Sequence, residues 1–143
     1  MTVKQVSVFL ENKVGRLAEV TQVMGQHGVN IRALAIADTS EFGILRLIVI
    51  QPDVVRSILE EAGFTVSETE VIAVEVPDEP GGLASILTGL RGSGINVEYL
   101  YAFVAPRGDN AVVVLKVEDT GPAVAYLSDH HIRMLRPADI GAL

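Results

Sequence analysis

Apolar and polar positions change period several times along the chain, and each change predicts an element. Residues 3–10 (VKQVSVFL) alternate, with Val6, Val8 and Leu10 on one face, as a half-buried strand requires. After the polar turn Glu11-Asn12-Lys13 the period becomes helical. Leu17, Val20 and Met24 stand at i, i+3 and i+7 of a helix over 14–27, and Gly28 suits its left-handed C-cap. A strand over 29–37, a turn over 40–43 and a strongly β-branched strand over 44–50 follow. Pro52 and Asp53 open a second helix that runs to Ala62. The segment 65–76 is extended, and long enough both to end one unit and to begin another.

The same order then recurs. A strand over 71–76 and a loop over 78–81 lead into a helix over 81–91, with Pro80 at or near its first position, where a missing N–H loses nothing. Strands over 95–105 and 111–118 flank a hairpin turn at 106–110, and a helix over 121–129 and a strand over 132–135 complete the series. Individual residues repeat too. Gly15, Leu17 and Ala18 are matched by Gly81, Leu83 and Ala84, and Gly28, Asn30 and Leu34 by Gly94, Asn96 and Leu100, all at one spacing of 66 residues. The chain is written twice. Each copy reads β-α-β-β-α-β, which predicts an α+β fold of two tandem ferredoxin-like units, 1–70 and 71–143, with antiparallel sheets and helices on one face.

Composition narrows the function. The net charge of −7 argues against a nucleic-acid partner, which needs a basic face to displace counterions. With no cysteine there is no disulfide, thiolate zinc site or cysteine nucleophile. The first residues carry no signal-peptide core and no apolar run approaches a membrane span, so a cytoplasmic protein without a membrane partner is expected. At 49% hydrophobic residues there is apolar material beyond the needs of two small cores, which favours a homo-oligomer, a dimer.

The segments ENKVGRLAEVTQVMGQHGVNI and PDEPGGLASILTGLRGSGINV closely resemble the signature of the ACT domain family. Strand, polar loop ending in glycine, Ala/Leu-bearing helix and Gly-Val/Ile-Asn-Ile/Val occur twice, so the resemblance covers essentially the whole chain. The first copy departs from the pattern with Val14 where the second has Pro80. The resemblance implies regulation rather than catalysis: small molecules, most often amino acids, bind at interfaces between paired ACT domains. It implies contacts from Asn12, Lys13, Val14, Gly15, Arg16 and Leu17 with Asn30 and Ile31. In the second copy the corresponding residues are Asp78, Glu79, Pro80, Gly81, Gly82 and Leu83 with Asn96 and Val97. The residue types suit that task. A glycine at a helix start admits a ligand to the backbone, unpaired N–H groups favour a carboxylate, and Asp78 can take an ammonium. Arg16 stands where the second copy has Gly82, which makes the second loop the roomier one and the first choice for the ligand.

Plainer roles compete. Gly15 and Gly81 suit the turn into a helix with or without a ligand, Asn30 and Asn96 suit local turn caps, and Arg16 and Lys13 suit a solvated surface. Tyr99, Tyr101 and Phe103 alternate as sheet packing or an interface. His130-His131 lacks a partner at ligand spacing, so no metal site is expected. No dinucleotide fingerprint, Walker loop, nucleophile elbow or HExxH is present, and no cofactor or catalytic residue is indicated. An acylphosphatase-like hydrolase would need a phosphate-cradling loop, of which Arg16 is a faint echo. The reading is a sensor for an amino acid or related metabolite. Its alternative is a ligand-free regulatory or structural subunit acting in trans on an amino-acid biosynthetic enzyme.

Overall fold

A computed structural model of the chain describes residues 1–38 and 41–143, residue 38 through its backbone only. It forms two compact units, one of Lys4–Thr69 and one of Glu70–Leu143 with Met1–Val3. The strands are β1 (Val3–Glu11), β2 (Ala33–Asp38), β3 (Phe42–Ile48), β4 (Thr65–Pro77), β5 (Val97–Ala102) and β6 (Asn110–Val117). The helices are α1 (Arg16–Gln26), α2 (Pro52–Glu61), α3 (Gly82–Gly92), α4 (Thr120–Asp129) and α5 (Pro137–Ile140). Strand β4 serves both units, as its length implies.

In the first unit, β3 lies between β2 and β1, antiparallel to each, with Val6 opposite Leu47, Val8 opposite Leu45 and Leu34 opposite Leu47. The alternation of β1 does what it predicts. Val6, Val8 and Leu10 are buried with Leu45 and Leu47 against Val20 and Met24 of α1 and Val55 and Leu59 of α2, so both helices cover one face. The second unit repeats the plan. Strand β6 lies between β4 and β5, with Ile72 opposite Leu115 and Leu100 opposite Leu115. Ile72, Val74 and Val76 pack with Ile86 and Leu90 of α3 and with Ala123 and Leu127 of α4. Two tandem βαββαβ units with antiparallel sheets are thus the fold. Tyr101 and Phe103 are buried, in keeping with sheet packing.

Several boundaries differ from the sequence expectation. Strand β2 begins at Ala33 rather than 29, because the Val29 amide still closes the end of α1 on the Met24 carbonyl (2.9 Å). The first residue of the turn expected over 40–43, residue 40, lies outside the described residues. Gly43 itself is a strand residue, opposite Leu10 and Asp38. Pro80 precedes the N-cap of α3 instead of occupying its first turn; the cap is Gly81. The last strand is reduced to a bridge of Met134 with Val74, held by Glu75 N–H on the Arg133 carbonyl (2.9 Å) and Leu135 N–H on the Ala73 carbonyl (2.8 Å). Helix α5 has no counterpart in the sequence reading. Pro137 opens it, and the Asp139 carboxylate accepts from the Arg136 N–H at 2.7 Å.

Helix α4 has the side-chain cap that the other long helices lack. Asp119 is its N-cap, and its carboxylate accepts from the Gly121 N–H at 3.2 Å. Asp119→Ala should cost about 1 kcal/mol of stability. A chemical-denaturation midpoint unchanged from the parent would show that this cap contributes nothing.

Candidate functional site

The two strand–helix loops end alike. Gly15 (φ 89°) and Gly81 (φ 85°) are left-handed N-caps of α1 and α3, a conformation that costs a side-chain-bearing residue strain but not glycine. The Glu19 amide closes on the Gly15 carbonyl and the Ser85 amide on the Gly81 carbonyl, each at 2.9 Å. By helix geometry the amides of Leu83 and Ala84 are then the donors left at the start of α3.

Beyond the glycine the copies part. In the first unit Arg16 lies with its guanidinium 5.0 Å above the Phe64 ring, and its Nη1 pairs with Glu19 Oε2 at 2.6 Å. Its Nε stands 3.9 Å from Glu11 Oε1, and the side chain is only 23% exposed. In the second unit the same position is Gly82, buried against the Pro77 carbonyl, where an added methyl would fall well inside contact distance of the oxygen. Gly82 therefore answers a close approach of backbone to backbone, a tighter reason than the spaciousness read from the sequence.

A cleft of about 610 Å³ opens in the second unit beside this loop. Glu79, Pro80, Gly81 and Gly82 form one wall and Ser85 and Ile86 of α3 another. The rest comes from Glu75 and Pro77 of β4, Asn110 of β6, Tyr126 of α4, and His130, His131, Ile132 and Arg133 beyond it. The Tyr126 and His130 rings stack with centroids 4.0 Å apart. His130 Nδ1 donates to the Tyr126 carbonyl at 2.9 Å, leaving Nε2 as the ring atom able to meet a ligand. The Glu75 side chain is 9% exposed and is held by Arg133 Nε at 3.1 Å and by Asn110 Nδ2 at 3.4 Å. The volume suits a small metabolite, with convergent polar groups on part of the wall.

The expected residues are not all gathered there. Glu79, Pro80, Gly81 and Gly82 line the cleft, whereas Asp78 is exposed outside it and Leu83 turns partly into the core. Asn96 lies past the far end of α3, in a different cleft with Ser93, Gly94 and Asp119, and Val97 opens β5. Eleven helical residues, about 16 Å at 1.5 Å each, separate the two ends of α3, so one unit alone cannot bring Asn96 to the loop. In the first unit Asn12, Lys13 and Val14 are exposed, as are Gly15 and Leu17. Asn30 borders a cleft of about 210 Å³ with His27, Ile50 and Val54, and Ile31 packs on the core. Ser85, Asn110, Tyr126, His130 and Arg133 were not indicated by sequence reasoning. One signal was available: Gly89, in the interior of α3, where an added methyl would strike the Tyr126 hydroxyl. Among the described residues no three or more His, Asp or Glu gather as a metal site, and no helix is long and apolar enough to cross a membrane.

Fold, duplication and glycine-capped loops define a paired domain of the ACT type. The family model for the ACT domain pair matches residues 1–139, and the chain belongs to that family. The crystal structure of protein BT0572 from Bacteroides thetaiotaomicron is 38% identical, with a TM-score of 0.93 over 100% of this chain and 98% of that one. The regulatory subunit of aspartate kinase from Thermus thermophilus shares the fold at 16% identity, with a TM-score of 0.61 over 88% of this chain and 91% of its own. The corresponding subunit from Thermus flavus does so at 14% identity and a TM-score of 0.56, over 88% and 90%. No curated protein matched the chain.

Proposed function

We propose that this ACT pair is an amino-acid-binding regulatory protein, not an enzyme, that works in the cytoplasm as a homodimer and passes its signal to an amino-acid metabolic enzyme. The observation that carries this is the open cleft of the second unit at the glycine-capped start of α3. A ligand carboxylate there meets the Leu83 and Ala84 amides and the positive end of the helix dipole. Glu79 supplies a countercharge for the α-ammonium within the cleft, a task that Asp78 shares only from outside it. Asn30, Ile31, Asn96 and Val97, at the far ends of their helices from the loops, reach such a ligand from an ACT unit of a second copy of the chain. Exposed Phe9, Phe42 and Ile44 give the first unit an apolar patch that supports such an assembly. The ligand biases the assembly only through its difference in affinity for the two states.

Thermal unfolding with each protein amino acid at millimolar concentration tests the reading. A ligand present at about 100 times its Kd adds about 2.7 kcal/mol and should raise Tm by several degrees. A flat panel would overturn the sensor reading in favour of a ligand-free subunit.

A further inference from the structure

The two copies offer a comparison internal to the molecule. The first halves of the units correspond at a spacing of 66 residues, as Gly15 and Gly81 show. Leu34 and Leu100 keep that spacing but pair with Leu47 and Leu115, because the second hairpin carries two more residues. From there the spacing is 68. The Phe64 amide closes on the Leu59 carbonyl (3.0 Å) as the Ile132 amide closes on the Leu127 carbonyl (2.9 Å). Gly63 and His131, one residue earlier in each, both have positive φ, 91° and 58°.

Position by position, the niche beside the helix start has opposite contents in the two units. In the first, Arg16 occupies it, with Phe64 beneath the guanidinium and Glu19 and Glu11 beside it. In the second, the equivalents are Gly82, Ile132, Ser85 and Pro77. The long side chain, the aromatic floor and both carboxylates are gone together, and an open cleft remains. Tyr126, His130 and His131 border that cleft where the first unit has Ile58, Ala62 and Gly63.

We infer that ligand binding is confined to the second unit, because the first has filled its equivalent niche with its own Arg16, and that the ligand is an amino acid without a positively charged side chain. The inference rests on the amino-acid-binding reading above. A cationic side chain suits the first niche, where two carboxylates and a ring face surround it. In the second niche neither carboxylate is present. Glu75 is already faced by two guanidinium groups, Arg133 Nε at 3.1 Å and Arg107 Nε at 4.0 Å, and His130 and His131 complete that side of the cleft. Glu79 remains, and the α-ammonium that every amino acid carries uses it. A second cation meets only Glu75, which Arg133 and Arg107 already neutralise, whereas an uncharged side chain adds no charge to pair and an acidic one meets Arg133.

Isothermal titration calorimetry of the full chain with each protein amino acid decides the matter. The expected result is one equivalent bound per chain, with lysine and arginine giving no saturable heat. Ser85→Arg, which puts a guanidinium back over the second niche from an exposed helix position, should abolish binding while leaving Tm in the absence of ligand close to that of the parent. Two equivalents per chain would overturn the inference, as would undiminished binding by Ser85→Arg or a preference for lysine or arginine. Each of these leaves the sensor reading standing. No saturable binding of any amino acid would overturn both.

Discussion

Gly82→Ala should lower the stability of the protein by about 3 kcal/mol, or roughly 10 °C in Tm, although the change adds a single methyl at the start of a helix. On an unencumbered helix, alanine for glycine gains about 0.5–1 kcal/mol. Here the new Cβ would drive into the Pro77 carbonyl oxygen, a backbone atom that cannot swing aside as a side-chain tip can. Either the first turn of α3 or the end of β4 has to move. The equivalent change in the first unit, Arg16→Ala, should cost no more than about 1 kcal/mol, since it removes an ion pair to the exposed Glu19 carboxylate and a guanidinium–ring contact of modest worth. Thermal melts of the two variants side by side test the difference. Equal melting temperatures would refute the close-approach account of Gly82.

A similar loss is expected from Leu127→Ala. Leu127 is fully buried in the second core with Leu90, Ile72 and Leu115, and its removal should cost about 2–5 kcal/mol from lost transfer energy and the cavity left behind. Leu59, its counterpart in the first unit, is also fully buried and should respond by a similar amount. Val14, wholly exposed in the loop before α1, should tolerate alanine within about 0.5 kcal/mol. A Leu127→Ala variant within that same margin would mean that the second core is not packed around this side chain.

Where sequence and structure disagree, the causes are local and physical. The starts of β2 and β5, at Ala33 and Val97 rather than 29 and 95, shifted because helix-end hydrogen bonds claim residues that apolar pattern alone assigns to the next element. The Ile95 amide closes on the Leu90 carbonyl at the end of α3. Met24 accepting from Val29 is the case for α1. Helix α5 escaped because four residues are too few to show a period, and what marks it is the Asp139 contact to the Arg136 amide. At the site, the loop glycines were legible because the left-handed caps demand them. The partners of the loop were not. Tyr126, His130 and Arg133 come from elements more than forty residues away, and nothing in their spacing relates them to Gly81.

By itself, the sequence determined the duplication, the βαββαβ order of each copy, the two core faces and the glycine-capped loops. All of these follow from periodicity, repetition and backbone conformational limits that act over a few residues. Only the tertiary structure decided that Gly82 is held by the Pro77 carbonyl, that Arg16 fills its own niche over Phe64, and that an open cleft forms in the second unit. These depend on which side chains from distant elements arrive at the same place, and a register between elements is set by packing rather than by local pattern.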